Sequence, residues 1–257
     1  MIITSSSNAS IKNARSVRDG RERDLIFVEG EKLAAECIAS GLTLHNCFVP
    51  PEPTEAMLAL IEKLSCPVSH VAESVLESLS DTVATQGIIL IAERPWPTLE
   101  DLFAGECPLL LGLDRVQDPG NLGTLIRTAE AAGCTGVLAF AGSADAFSPK
   151  SLRSSMGSAF RLPIISGVTD AGAVGACRSR GVRTVIASGD GEITHFAQDW
   201  RQPSMLILGN EARGVSASLK SQCDTSVRIP LHTPVESLNV SAAGAAILFE
   251  AVRQRML

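Results

Sequence analysis

Between residues 109 and 209, four continuous apolar runs alternate with stretches of helical periodicity: LLLGL (109–113), GVLAFA (136–141), RTVIAS (183–188) and MLILG (205–209). A run that is apolar throughout, rather than at every second residue, suits a strand buried on both faces, as in a parallel sheet covered by helices. Helices are expected near 121–132, 149–158 and 170–180, with a last one from about 239 to 254. The fold class is therefore α/β, with helices on both faces of a parallel sheet. Ligands of such sheets sit at the carboxyl ends of strands, so the loops after 113, 188, 209 and 229 are the places to look.

Upstream, GEKLAAECIAS (30–40) reads as an amphipathic helix closed by Gly41. Residues 44–49 and 87–92 read as strands, and 54–64 and 73–79 as helices. Three prolines in ERPWPTLEDLFAGECP (93–108) read as a linker. The expected organisation is a small α/β domain at 1–95, a linker at 96–106 and a larger domain at 107–257.

The bulk properties exclude several classes. Hydrophobic residues make up 45% of the 257 and charged ones 19%, the balance of a globular protein rather than a disordered one. No apolar stretch approaches the roughly 18 residues of a membrane span, and the polar, basic start is not a signal peptide. The seven cysteines form no CxxC pair and no cluster with metal spacing, which points to reduced thiols in the cytoplasm and to no metal site. There is no GxGxxG after the first strand of the large domain, no GxxxxGK[ST] and no GxSxG, so dinucleotide, P-loop and α/β-hydrolase chemistry lack support. The net charge of −6 counts against a nucleic-acid partner. Charge is local, however, and Lys12, Arg15, Arg18, Arg21 and Arg23 cluster near the start, with Lys150, Arg153 and Arg161 forming a second basic stretch. A single basic run is more often a solvated face, and it is the pair of them in an acidic chain that suggests a partner.

Three segments carry candidate chemistry. In LDRVQDPGNLGTLIRTAEAAG (113–133), Asp118-Pro119-Gly120 reads as a tight turn and Asn121 as the cap of the next helix. Arg127 lies about 140° around that helix from the apolar Leu122, on the side away from the core. It is either a solvent-facing arginine or a cation placed for phosphate at a strand's carboxyl end. In LILGNEARGVS (206–216), Gly209 and Gly214 bracket Glu211, and a glycine at a strand end lets backbone approach a flat ligand closely. In VRIPLHTPVESLNVSAAGAAILFEAVRQ (227–254), Ile229-Pro230 ends a strand, Ser237 lies in the following loop and Asn239 opens a helix that is small and apolar all round. GDGE (189–192) reads as an ordinary turn.

Together these segments resemble the SpoU/TrmH branch of the SPOUT methyltransferases. The family's Asn-x-Gly-x-x-x-Arg matches Asn121, Gly123 and Arg127, and its Gly-x-Glu-x-x-Gly matches Gly209, Glu211 and Gly214. Its Ile-Pro and Ser-Leu-Asn-Val-Ser-x-Ala match Ile229, Pro230, Ser237, Leu238, Asn239, Val240, Ser241 and Ala243. Residues 8–41 resemble the family's RNA-binding accessory domain, itself similar to ribosomal proteins.

The resemblance implies a SPOUT catalytic domain with a deep trefoil knot, working as a homodimer that pairs through the helix after Asn239. It implies methyl transfer from S-adenosylmethionine (AdoMet) to a ribose 2′-hydroxyl of structured RNA, with ribosomal RNA preferred over transfer RNA. The cofactor would be held by Gly209, Ile229 and Leu238. Arg127, Asn121, Glu211, Ser237 and Asn239 would form the catalytic group, with Arg127 either accepting the proton or stabilising the alkoxide. Asn8, Lys12, Arg15 and Arg23 would contact the RNA. The competing readings are a catalytically silent RNA-binding protein on the same scaffold and an unrelated α/β enzyme.

Overall fold

The computed structural model describes residues 2–81 and 85–256. Contacts divide the chain into two compact units, Met1–Pro95 with Phe147–Arg161, and Trp96–Ala146 with Leu162–Leu257.

The first unit begins with β1 (Ile2–Ile3), α1 (Ala9–Arg18), β2 (Leu25–Glu29), α2 (Glu31–Ala39) and β3 (Leu44–Val49). It continues with α3 (Glu55–Ile61), β4 (Val68–Val71), α4 (Glu73–Leu79) and β5 (Ile89–Glu93). The sheet runs β1-β4-β3-β5-β2, parallel from β1 to β3 and antiparallel at β3–β5 and β5–β2. Three-residue spacing of Ile11, Ala14 and Val17 gives α1 one apolar face, which packs with Phe27, Phe48 and Val71 of the sheet.

In the second unit the chain runs through α5 (Leu99–Leu102), β6 (Leu109–Leu113), α6 (Pro119–Ala131) and β7 (Gly136–Phe140). After β7, α7 (Pro149–Ser155) and α8 (Ser158–Arg161) belong by contact to the first unit. The second unit resumes with β8 (Ile164–Val168), α9 (Asp170–Ser179), β9 (Arg183–Ala187), β10 (Ile193–Thr194), β11 (Ser204–Leu208), α10 (Ala217–Gln222), β12 (Thr225–Arg228) and α11 (Val240–Arg255). Its sheet is parallel throughout, in the order β10-β12-β9-β11-β6-β7-β8. The α/β class with a parallel sheet is as the apolar runs imply.

Several expectations need correction. The helix expected across 149–158 breaks between α7 and α8, where Met156 adopts φ +50. Arg153 and Arg161 of that stretch are engaged inside the first unit, Arg153 with Asp81 at 2.9 Å and Arg161 with Glu36. Residues 96–106 are not a bare linker. The Thr98 N–H and hydroxyl both donate to Asp101, starting α5 and sending Leu102, fully buried, into the second unit's core. Asn121 does not cap α6. Asp118 does, accepting the Asn121 N–H at 2.8 Å, and Pro119 occupies the first helical position, where its missing N–H costs nothing.

Candidate active site

Sheet order explains how distant segments meet. β11 lies between β9 and β6, and β12 lies beside β9, so the loops leaving all four strands emerge side by side. α11 packs along α6, and Gly244 is what allows the close approach: a Cβ there would stand 2.4 Å from Leu125 Cδ2 and 2.8 Å from Leu208 Cδ1. The start of α11 is thereby brought against the start of α6.

Because Asp118 does the capping, the Asn121 side chain is free to bridge. Its Nδ2 donates to Glu211 Oε1 at 3.1 Å, and its Oδ1 accepts from Asn239 Nδ2 at 3.1 Å. Ser241 Oγ donates to the Asn121 carbonyl at 3.1 Å. Asn239 does both jobs available to it, since its Oδ1 also caps α11 by accepting the Ser241 N–H at 2.8 Å. Glu211 and Asn239, 90 and 118 positions from Asn121, form one connected group with it.

Glu211 rides on a loop closed by a reciprocal backbone pair, Asn210 N–H to Gly214 at 3.1 Å and Gly214 N–H to Asn210 at 2.8 Å. Gly209 is required here for a reason the sequence concealed. A Cβ at Gly209 would lie 2.2 Å from the Gly214 carbonyl carbon and the Val215 nitrogen, so the close approach is to its own loop.

Beside this group lies a cavity of about 210 Å³, walled by the ends of β9, β11 and β12, the 229–238 loop and the start of α11. Gly209, Ile229, Leu238, Ser237 and Glu211 all line it. So do Ser188 and Gly189, which places the stretch read as an ordinary turn at the site. Much of the wall is aliphatic, with Leu208, Val227, Val240 and Ile247. Its charged members among the described residues are two carboxylates, Glu211 and Glu236, with no Lys, Arg or His. No cysteine lines it, and burial pushes the thiols of Cys37, Cys47, Cys134 and Cys177 up to about 12.

Arg127 is exposed on α6, outside the residues lining this cavity. In the first unit, Asn8 caps α1 by accepting the Ser10 N–H at 2.9 Å, and Arg15 donates to Ser78 Oγ at 3.3 Å. Lys12 and Arg23 are exposed.

Residues 108–249 match the model of the SpoU rRNA Methylase family, and residues 8–90 match an MRM3-like substrate binding domain. The chain belongs to the SpoU rRNA methylase family. It is 32% identical to the 23S rRNA (guanosine(2553)-2'-O)-methyltransferase RlmP of Bacillus subtilis, over 96% of this chain and 97% of that one. It is 38% identical to the 23S rRNA (uridine(2479)-2'-O)-methyltransferase of Streptomyces viridochromogenes, over 66% of this chain and 61% of that one. The crystal structure of the SpoU methyltransferase AviRb from the same organism, in complex with AdoMet, superposes with a TM-score of 0.89 at 29% identity, covering 97% and 98% of the two chains. The range matched by the SpoU family model includes the segments that meet at the cavity and at the Asn121 group.

Proposed function

We propose that this SpoU family member transfers the methyl group of AdoMet to a ribose 2′-hydroxyl of ribosomal RNA. The observation that carries the reading is the joined Asn121–Glu211–Asn239 group beside a cavity whose wall is aliphatic and whose only charged lining groups, among the described residues, are carboxylates. That wall suits AdoMet, which combines a flat adenosyl portion with a cationic sulfonium. Backbone at Gly209, Ile229 and Leu238 would hold the adenosyl part. The relatives' names point to ribosomal RNA as acceptor.

Bound AdoMet supplies an electrophilic methyl group. The remaining tasks fall to the chain: aligning O2′ and managing its proton. Asn121, Glu211, Ser237 and Asn239 orient the ribose by hydrogen bonds. Arg127, exposed and without an ion pair among the described residues, stabilises the negative charge that grows on O2′. Guanidinium groups do not release their proton at physiological pH, which favours this role over that of a base.

Three finer features belong to the same reading. The C-terminal segment threads an earlier loop in a trefoil knot, a reading supported by β12 lying beside β9 while α11 reaches back to α6. Two chains pair through α11, whose outward side carries Ala242, Ala246 and Phe249, the last 50% exposed. Residues 1–95 select the RNA, with the exposed Lys12 and Arg23 as the phosphate contacts, and the work is done in the cytoplasm, where free thiols persist.

The test is methyl incorporation from labelled AdoMet into 23S, 16S and transfer RNA lacking ribose methylation, followed by mass mapping of the product. Ribose methylation of one ribosomal nucleotide is expected. Incorporation into transfer RNA alone would replace the acceptor, and cofactor binding without incorporation into any RNA would leave a silent binder.

A further inference from the structure

The loop that carries Glu211 has few contacts of its own. Residues 211–214 are exposed, and the contacts inside the loop all run through Asn210: the backbone pair with Gly214, the turn in which its Oδ1 accepts the N–H groups of Ala212 and Arg213, and a long 3.5 Å bond from its Nδ2 to Glu211 Oε2. Both of its ends are tied instead to the first two residues after β6. Asp114 is 1% exposed, and its N–H extends the sheet by donating to the Leu208 carbonyl at 2.8 Å. Its Oδ2 accepts the Ser216 N–H at 2.7 Å, on the far side of the loop. Its Oδ1 accepts from Arg115 Nη1 at 2.9 Å. Arg115 adopts φ +55, a left-handed conformation that side chains avoid unless held there. Held so, it offers its carbonyl oxygen to Asn210 Nδ2 at 2.9 Å, on the near side of the loop.

We propose that Asp114 is a positioning residue for methyl transfer, fastening the Glu211 loop at Ser216 directly and at Asn210 through Arg115. The proposal rests on the methyltransferase reading of the same site. Asp114 lies outside the residues lining the cavity and touches none of the Asn121 group, so its effect passes through Glu211. A carboxylate is needed because two donors converge on its two oxygens, the neighbouring Arg115 Nη1 on Oδ1 and the distant Ser216 N–H on Oδ2. An asparagine in its place has one acceptor oxygen and turns an NH₂ toward one of those donors, releasing either the Ser216 end or the Arg115 end.

The experiment is a double-mutant cycle in the full-length chain with Asp114→Asn and Glu211→Gln. AdoMet affinity is read by calorimetry, transfer by single-turnover methylation of unmodified 23S RNA, and folding by thermal melting. Asp114→Asn is expected to lower transfer and cofactor affinity by about tenfold each, and by less than about threefold when Glu211 is already glutamine. Arg115→Gln, at a side chain 44% exposed, reads the same coupling from the other anchor should the buried substitution fail to fold. Equal losses in both backgrounds, or no loss in the wild-type background, overturn the proposal. If the wild-type chain binds AdoMet but methylates no RNA, the acceptor reading falls alone and the affinity cycle still decides the clamp.

Discussion

Asn121→Asp isolates the contact that joins the first and second motifs. The side chains are isosteric, so the Asn239 Nδ2 bond to Oδ1 and the packing of α6 survive, while the 3.1 Å contact with Glu211 changes from a hydrogen bond to two facing carboxylates. Coulomb's law for unit charges at that separation gives about 5 kcal/mol at an effective dielectric of 20 and about 1.3 kcal/mol in bulk water. Glu211 is exposed and Asn121 half-buried, so the lower end applies. Adding about 1 kcal/mol for the lost hydrogen bond brings the cost near 2 kcal/mol, or roughly 30-fold. The repulsion also makes the introduced carboxyl hold its proton to higher pH than an isolated one, by about one unit per 1.4 kcal/mol. Its folded-state proton affinity is raised, so the penalty is absent at low pH and grows as pH rises past the ordinary carboxylate range. Single-turnover methylation and AdoMet calorimetry from pH 5 to 8.5, each divided by the wild-type value, should therefore show a deficit that deepens with pH toward a plateau. A pH-independent deficit would mean that geometry rather than charge is at fault. No deficit would mean that the Asn121–Glu211 contact plays no part.

Three further outcomes are expected. Arg127→Ala should melt like wild type and bind AdoMet normally, yet lose about 100- to 1000-fold in single-turnover rate; a rate within threefold of wild type returns Arg127 to the solvent-facing surface. Gly209→Ala must push its own loop open, since the new Cβ meets Gly214 and Val215 backbone at 2.2 Å, so AdoMet binding measured by calorimetry should fall at least about tenfold, with about 1–3 kcal/mol lost on melting. Glu250, whose carboxyl is held down to about 2 by hydrogen bonds from Arg253 and then Gln254, contributes stability that is present above pH 4.5 and lost as pH falls through 2; the melting gap between wild type and Glu250→Gln should close across that window.

What was legible in the sequence follows the physics of burial. The strands β6, β7 and β11 are buried at every residue and read as unbroken apolar runs, while β9 is buried at its centre, Thr184 to Ile186. β8 and β12 do not stand out as runs, since Ser166 interrupts one and Thr225, Ser226 and Arg228 make the other largely polar. The site residues were named through motif resemblance, but their arrangement was not visible. Pro119-Gly120 reads as a turn in the sequence, which gives Asn121 a cap that Asp118 in fact supplies and hides the freedom of its side chain. Gly209 reads from its strand end as room for a flat ligand, although the nearest atoms to its missing Cβ belong to its own loop. Ser188 and Gly189 carry no chemical signal of their own, and only the rule about strand ends pointed at them. Asp114 is legible as a letter in the first motif segment and not as an anchor, because its long-range partners, the Leu208 carbonyl and the Ser216 N–H, depend on the pairing of β6 with β11.

That pairing also explains a division of labour within the site. The register sets Leu113 against Leu208, so the chain leaves the sheet at Asp114 and Gly209 side by side, and everything fastened there is fixed before any ligand arrives. Asn121, Glu211 and Asn239 are of this kind, each already committed to a partner. Arg127 is the opposite case. It stands six residues from Asn121 on α6, about 9 Å along the axis at 1.5 Å per residue, exposed and uncommitted among the described residues. A guanidinium already locked to a carboxylate would have to break that pair to serve an oxygen that becomes negative only during transfer. One left in water surrenders only hydration, and it contributes most in the transition state, where the charge is greatest. On the proposed reading, the prearranged group governs where the ribose sits and Arg127 how fast it reacts. Substitutions in the former should raise KM together with their effect on rate, whereas Arg127→Ala should lower the rate alone.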